Sequence, residues 1–200
     1  MRAWVAGAAT AVLAAGLTGC GSGSDDKAGA CADGTFTWSG VTHTEKLTHL
    51  ADPIVIKKRT DSYKARLRGV DTAVRYSTTV TAVPDGVGRT GVLDALGEHL
   101  KAEGPLGDAA DRPDPRFDTY HEADSGDLQG AYYAWNSIKL VDADFTYTCD
   151  SGEPVEGHVR TWEGTGSGFL PCAGEPQVSA AAHEAAERSC PTGSRAAEQA

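Results

Sequence analysis

The chain has 200 residues, with 28 acidic against 18 basic side chains and a net charge of −10. That balance argues against a nucleic-acid partner, whose phosphate backbone would be repelled. It also leaves no electrostatic footprint for an anionic membrane surface, so any membrane attachment has to be made another way.

The chain opens with Met1-Arg2 and an uncharged run from Trp4 to Leu17. That run is too short for a hydrocarbon core, which needs about 20 residues. A short apolar segment behind a basic start has the form of a secretion signal. Small residues then lead directly into a cysteine, as Leu17-Thr18-Gly19-Cys20. The tetrapeptide resembles the lipobox of bacterial lipoprotein precursors. The resemblance covers only the first 20 residues. It implies that residues 1–19 are a signal peptide and that Cys20 becomes the lipid-modified amino terminus. High Gly and Ala, more Arg than Lys, and a single Met agree with a GC-rich, actinobacterial source for such a precursor. Each buried lipid methylene contributes about 0.8 kcal/mol, so two or more acyl chains on Cys20 make anchoring durable.

From Gly21 to Ala30 there is no bulky apolar residue. Such a Gly/Ser/Asp tract behaves as a flexible tether. One folded exported domain is expected over residues 31–190, with a frayed tail over 191–200.

Removing Cys20 from the five cysteines leaves Cys31, Cys149, Cys172 and Cys190. In an exported domain an even number predicts two disulfides. No close C-x2-C pair is present, which disfavours zinc. Four cysteines allow three connectivities. A helix from Val178 to Ser189 would be about 18 Å long and would strain a Cys172–Cys190 link. The geometry therefore favours Cys149 with Cys172, across the ends of a meander, and Cys31 with Cys190.

Along the domain, Thr35 to Trp38 and Ile54 to Ile56 are β-prone. Val74 to Val83 alternates most clearly and is ended by Pro84-Asp85-Gly86. Thr90 to Ala102 changes period: Val92, Leu93, Leu96 and Leu100 share one helical face, with Thr90 as a possible N-cap. Ala131 to Trp135, Ser137 to Val141 and Phe145 to Cys149 read as three strands. Asp150 to Pro154 reads as a turn, Val155 to Trp162 as a strand, and Gly164 to Gly168 as a flexible β-turn. Ala180 to Arg188 closes the domain as a helix. The pattern predicts a β-rich α+β fold: an antiparallel sheet or sandwich with two short helices, stapled by disulfides.

Catalytic signatures are sparse. The acidic stretch holds Asp108, Asp111, Asp114, Asp118, Glu122, Asp124 and Asp127. It lacks the EF-hand spacing and reads as a solvated loop. His43, His49, His99, His121, His158 and His183 are scattered and read as surface histidines. Asp150-Ser151-Gly152 lacks the flanking glycines of a protease oxyanion turn, and no G-x-S-x-G elbow occurs. The rings of Tyr132, Tyr133 and Trp135 are expected in the core more than on a ligand platform. No catalytic residue, metal or cofactor is assigned. The expected function is a lipid-anchored protein on the extracytoplasmic face of the cell membrane, binding an unknown small ligand or serving an envelope protein as an accessory. The alternative is a small anchored hydrolase of wall polymer or peptide, using carboxylates of the 108–127 stretch.

If that stretch binds no calcium, chelator will leave the thermal midpoint unchanged. A rise of several degrees in micromolar calcium would contradict this expectation.

Overall fold

A computed structural model describes residues 31, 33–70, 76–107 and 119–198. It contains β1 (Thr35–Ala51), β2 (Ile54–Gly69), β3 (Thr79–Val80), α1 (Gly88–Leu100), β4 (Thr119–Thr148), β5 (Val155–Pro171), α2 (Ala180–Ser189) and a single 3-10 turn at Arg195–Ala197. The five strands form one antiparallel sheet in the order β1-β2-β4-β5-β3, with β1 also paired to β4. The β-rich α+β class is therefore correct, and the architecture is a single sheet.

β4 is the axis. The three strands expected between Ala131 and Cys149 are one strand, which extends back to Thr119 and is 30 residues long. The residues between the apolar runs do not turn the chain: Asn136 to Asp144 stay paired with β5 on one edge, and with β1 on the other, where β1 takes up two register shifts opposite Asn136 and Ala143. Along one edge β4 pairs first with β2 and then with β1. Ile54 pairs with Tyr132 and Leu67 with Thr119, yet Leu67 also pairs with Ala51. Thirteen extended residues would span about 43 Å, so the β2–β4 ribbon folds back on itself. It does so where β2 slips register between Ile56 and Ser62, opposite Gly126 and Gly130, whose φ angles are 72° and 107°. Inside the fold, Ile54, Ile56, Ala65, Leu67, Leu128, Tyr132 and Ala134 form one apolar cluster.

The segment Gly164 to Gly168 is β-strand, not turn. Its glycines alternate with Thr165 and Ser167 and supply the space that β4 side chains fill. A Cβ at Gly168 would overlap the Trp135 indole, and one at Gly166 would meet the Ser137 hydroxyl. Gly157 accommodates the Phe145 ring in the same way. Large residues on β4 thus face missing side chains on β5, and the two strands stay paired from Tyr147–Val155 to Tyr132–Pro171.

Two helices cover this sheet. α1 buries Val92, Leu93 and Leu96 against Val141, Ala143, Phe145, Tyr147 and Val159. It starts at Gly88, so Thr90 lies in its first turn and is not the N-cap; the cap is Val87, without a side-chain bond. α2 presents Ala181, Ala182, Ala185 and Ala186 to Leu47, Tyr133 and Trp135. Small residues allow this helix to approach the two stacked rings, whose centroids are 5.1 Å apart. Of the strand expected over Val74 to Val83, only Thr79–Val80 is ladder, paired with Val159–Arg160; Val74 and Arg75 lie outside the described residues. Residues 191–198 do not fray. Ala196 is buried and its N–H donates to the Cys172 carbonyl at 3.1 Å.

All four expected cysteines form disulfides, but with the other pairing. The bonds are Cys31–Cys149 and Cys172–Cys190, with Cα separations of 6.2 and 5.5 Å. Cys149 and Cys172 sit at opposite ends of the 17-residue β5, roughly 55 Å apart at strand rise, and cannot meet. The expected pairing placed a turn at Gly164–Gly168 and so brought those ends together. Cys172 reaches Cys190 because α2 starts at Ala180. Seven residues, 173–179, then return alongside a helix about 15 Å long.

The glycine cradle gives a test. Gly168→Val should lower stability by about 3 kcal/mol through overpacking. Gly164→Val, where a Cβ meets nothing within 4 Å, should change it by less than about 1 kcal/mol. Urea unfolding of both variants checks this, and equal midpoints would refute the cradle.

Candidate functional site

A cleft of about 750 Å³ lies on the sheet among the described residues. Three adjacent strands present its floor and one wall in register. Thr44 of β1 pairs with Leu140 of β4, which pairs with Trp162 of β5. Two residues further along the β4–β5 ladder, Asp142 faces Arg160. Lys46 continues the β1 row. Tyr76, Ser77 and Thr79 cross from the segment before α1, and Glu184 and Arg188 project from α2. The floor is apolar and partly aromatic, and the walls carry hydroxyls and charges.

Backbone contacts fix the floor. Gly107 N–H donates to the Trp162 carbonyl at 2.8 Å, and the indole lies so close to Gly107 that no side chain fits there. The Gly107 carbonyl accepts from the Thr161 hydroxyl at 2.6 Å and also from the Thr78 hydroxyl. The Thr78 carbonyl in turn accepts from Arg89 of α1. The segment before α1 is thereby tied to β5 at the cleft.

Charge is arranged in pairs. Arg160 Nε donates to Asp142 Oδ1 at 2.7 Å, and Arg188 lies 2.5 Å from Glu184 one helical turn away. His158 extends the first pair: its Nε2 is 3.3 Å from Asp142 and its Nδ1 is 2.8 Å from Asp144. Both cleft carboxylates are therefore engaged by arginines. Lys46 has no acidic partner among the described residues.

α2 is positioned by a carboxylate. Glu45 accepts from the Ser137 hydroxyl at 2.8 Å and from the Ser179 hydroxyl at 2.6 Å. Ser179 is also the α2 N-cap, accepting from Ala182 N–H at 3.2 Å. Burial pushes the Glu45 carboxyl upward, but the bonds from Ser179, Ser137 and the Ala181 backbone, with the Lys139 charge, together hold it below its ordinary 4.5. Glu45 thus locks the helix that carries Glu184 and Arg188.

The expected site residues fall elsewhere. Cys20 and Asp108, Asp111, Asp114 and Asp118 lie outside the described residues. Glu122, Asp124 and Asp127 are on the β2–β4 ribbon, where Asp127 pairs with Arg59 at 2.7 Å; none lines the cleft. Tyr132, Tyr133 and Trp135 are buried and form no surface platform. Among the histidines, His49 is buried beside Thr48, contrary to expectation. His43 lies 3.4 Å from Glu163, and His183 the same distance from Glu187. Among the described residues no group of three or more His, Cys, Asp or Glu side chains could hold a metal ion, and no helix is long and apolar enough to cross a membrane.

The His158–Asp142–Arg160 network was missed by the sequence reading, although a signal was present. The Asp150–Pro154 turn joins β4 to β5 and sets residues opposite one another across the hairpin. With the hairpin centred on Ser151, the register places Asp142 against Arg160 and Asp144 against His158. Comparison with known proteins adds no assignment: no protein-family model, curated protein or solved structure matches the chain.

Because its carboxyl is held low, Glu45 contributes stability above the unfolded value near 4.5, and that contribution is lost as pH falls through the folded value. Glu45→Gln should therefore cost about 1.5–3 kcal/mol at neutral pH, and the difference from wild type should shrink below pH ~4. Denaturant titrations at both pH values check this, and a gap that persists in acid would count against it.

Proposed function

We propose that this chain is an exported lipoprotein, held by a lipid on Cys20 at the extracytoplasmic face of the cell membrane. In that setting it binds a small ligand in the cleft, alone or as an accessory of an envelope complex. The observation that carries the reading is the cysteine pattern. The four cysteines after Cys20 pair among themselves as Cys31–Cys149 and Cys172–Cys190. Two disulfides suit an oxidising, extracytoplasmic compartment. Of the five cysteines, Cys20, within Leu17-Thr18-Gly19-Cys20, is the one outside those two bonds.

A binding role is favoured over hydrolysis by the cleft itself. Its two carboxylates, Asp142 and Glu184, are each committed to an arginine. The carboxylates proposed for a hydrolase lie on the ribbon or outside the described residues. What the cleft offers instead is an apolar floor with convergent polar groups, the usual composition of a small-molecule site.

Replacement of Cys20 tests the anchor. Cys20→Ala should leave a precursor or a soluble form that takes up no labelled fatty acid, as followed by cell fractionation. An Ala variant that stays in the membrane and still takes label would overturn the reading.

A further inference from the structure

We infer that the cleft is a site for an acidic sugar, a carbohydrate bearing a carboxylate or phosphate, with Lys46 supplying the charge that recognises it. The inference deepens the binding reading above and rests on it. The cleft contains three cations and two acids. Arg188 is satisfied by Glu184 and Arg160 by Asp142, so the surplus charge is that of Lys46. Arg160 uses Nε for Asp142, which leaves its two terminal nitrogens as donors for a second anion. Lys46 and Arg160 reach the same cleft from β1 and β5, on either side of β4.

The rest of the lining suits a sugar body. A pyranose has an apolar face and a rim of hydroxyls. Leu140 provides an apolar floor, with the nearly buried Trp162 behind it and Tyr76 beside it. The hydroxyls of Thr44, Ser77 and Thr79 surround them and can each donate or accept. The volume of about 750 Å³ exceeds that of one monosaccharide and admits a short oligosaccharide. A purely apolar ligand would leave Lys46 and the hydroxyls desolvated without partners, which is costly. A simple inorganic anion would leave the apolar surface of Leu140 and Tyr76 unused.

The probes are glucuronic acid, glucose 6-phosphate and neutral glucose, titrated calorimetrically into the full chain purified in detergent. At least one acid should bind saturably at millimolar concentration or below, and more weakly as salt is raised. Glucose should bind less well than that acid. Preference between the two acids identifies carboxylate or phosphate as the recognised group. Lys46→Ala should weaken acid binding by about tenfold or more, whereas Lys46→Arg should retain most of it. Lys46 is exposed, so neither variant threatens folding. Glucose binding as tightly as the acids would overturn the inference, as would no binding of either acid, or unchanged affinity in Lys46→Ala. Failure of the anchor reading appears separately, in the membrane partition of Cys20→Ala, and leaves these titrations unaffected.

Discussion

The fold depends on the close fit between β4 and β5. From Tyr132 to Tyr147 β4 is paired with β5, and that long ladder could not close so tightly if each position carried an ordinary side chain. Here the bulk is on one strand and the space on the other: Trp135 sits over Gly168, Ser137 over Gly166 and Phe145 over Gly157. A backbone without side chains loses entropy on ordering and gains no packing of its own. That cost is offset by the aromatic surface buried in the space the glycines leave.

The other elements take their places from this ladder. α1 rests on the half of β4 nearest the β4–β5 turn, and α2 on the half nearest Cys172. Glu45 then fixes the start of α2 through Ser179, and the Cys172–Cys190 bond fixes its end. A ten-residue helix of this kind is marginal by itself; held at both termini, it becomes a rigid wall. The cleft is a consequence of that arrangement. Its floor belongs to the ladder, one wall to α2, and the other to a segment tied down through Gly107.

Much of this was legible in the sequence wherever a local pattern had one meaning. The helical face of Val92, Leu93 and Leu96 and the turn at Asp150–Pro154 needed no tertiary information. Gly164-Thr165-Gly166-Ser167-Gly168 was misread because glycine marks both turns and close approach. Only the rings on β4 decide between those meanings, and they are some 30 residues away in sequence. The disulfide error followed from that misreading, since a strand that never turns cannot bring Cys149 to Cys172, and from starting the last helix at Val178 instead of Ala180. The continuity of β4 was hidden for a similar reason. Asn136 and Asp142 look like interruptions until the partners that accommodate them are known. The cleft could not be seen at all, because its residues come from distant parts of the chain and share no motif. The turn at Asp150–Pro154 brings Asp142 and Asp144 near Arg160 and His158, but the exact pairs depend on a ladder centred on Ser151.

The Cys31–Cys149 bond has a mechanical consequence. Any pull on the chain preceding Cys31 arrives at a residue covalently joined to the end of β4. Tyr147 reinforces the junction, accepting from Gly34 N–H at 2.8 Å and donating to the Cys31 carbonyl at 3.0 Å. Without the bond, tension would peel β1 from its terminus, one hydrogen-bonded pair after another. With it, the load passes directly to a strand flanked by β1 on one side and β5 on the other, and is shared across both ladders. The domain is thus built to be tugged from its amino-terminal side without unzipping, and the cleft, further along the same strand, is shielded from the strain.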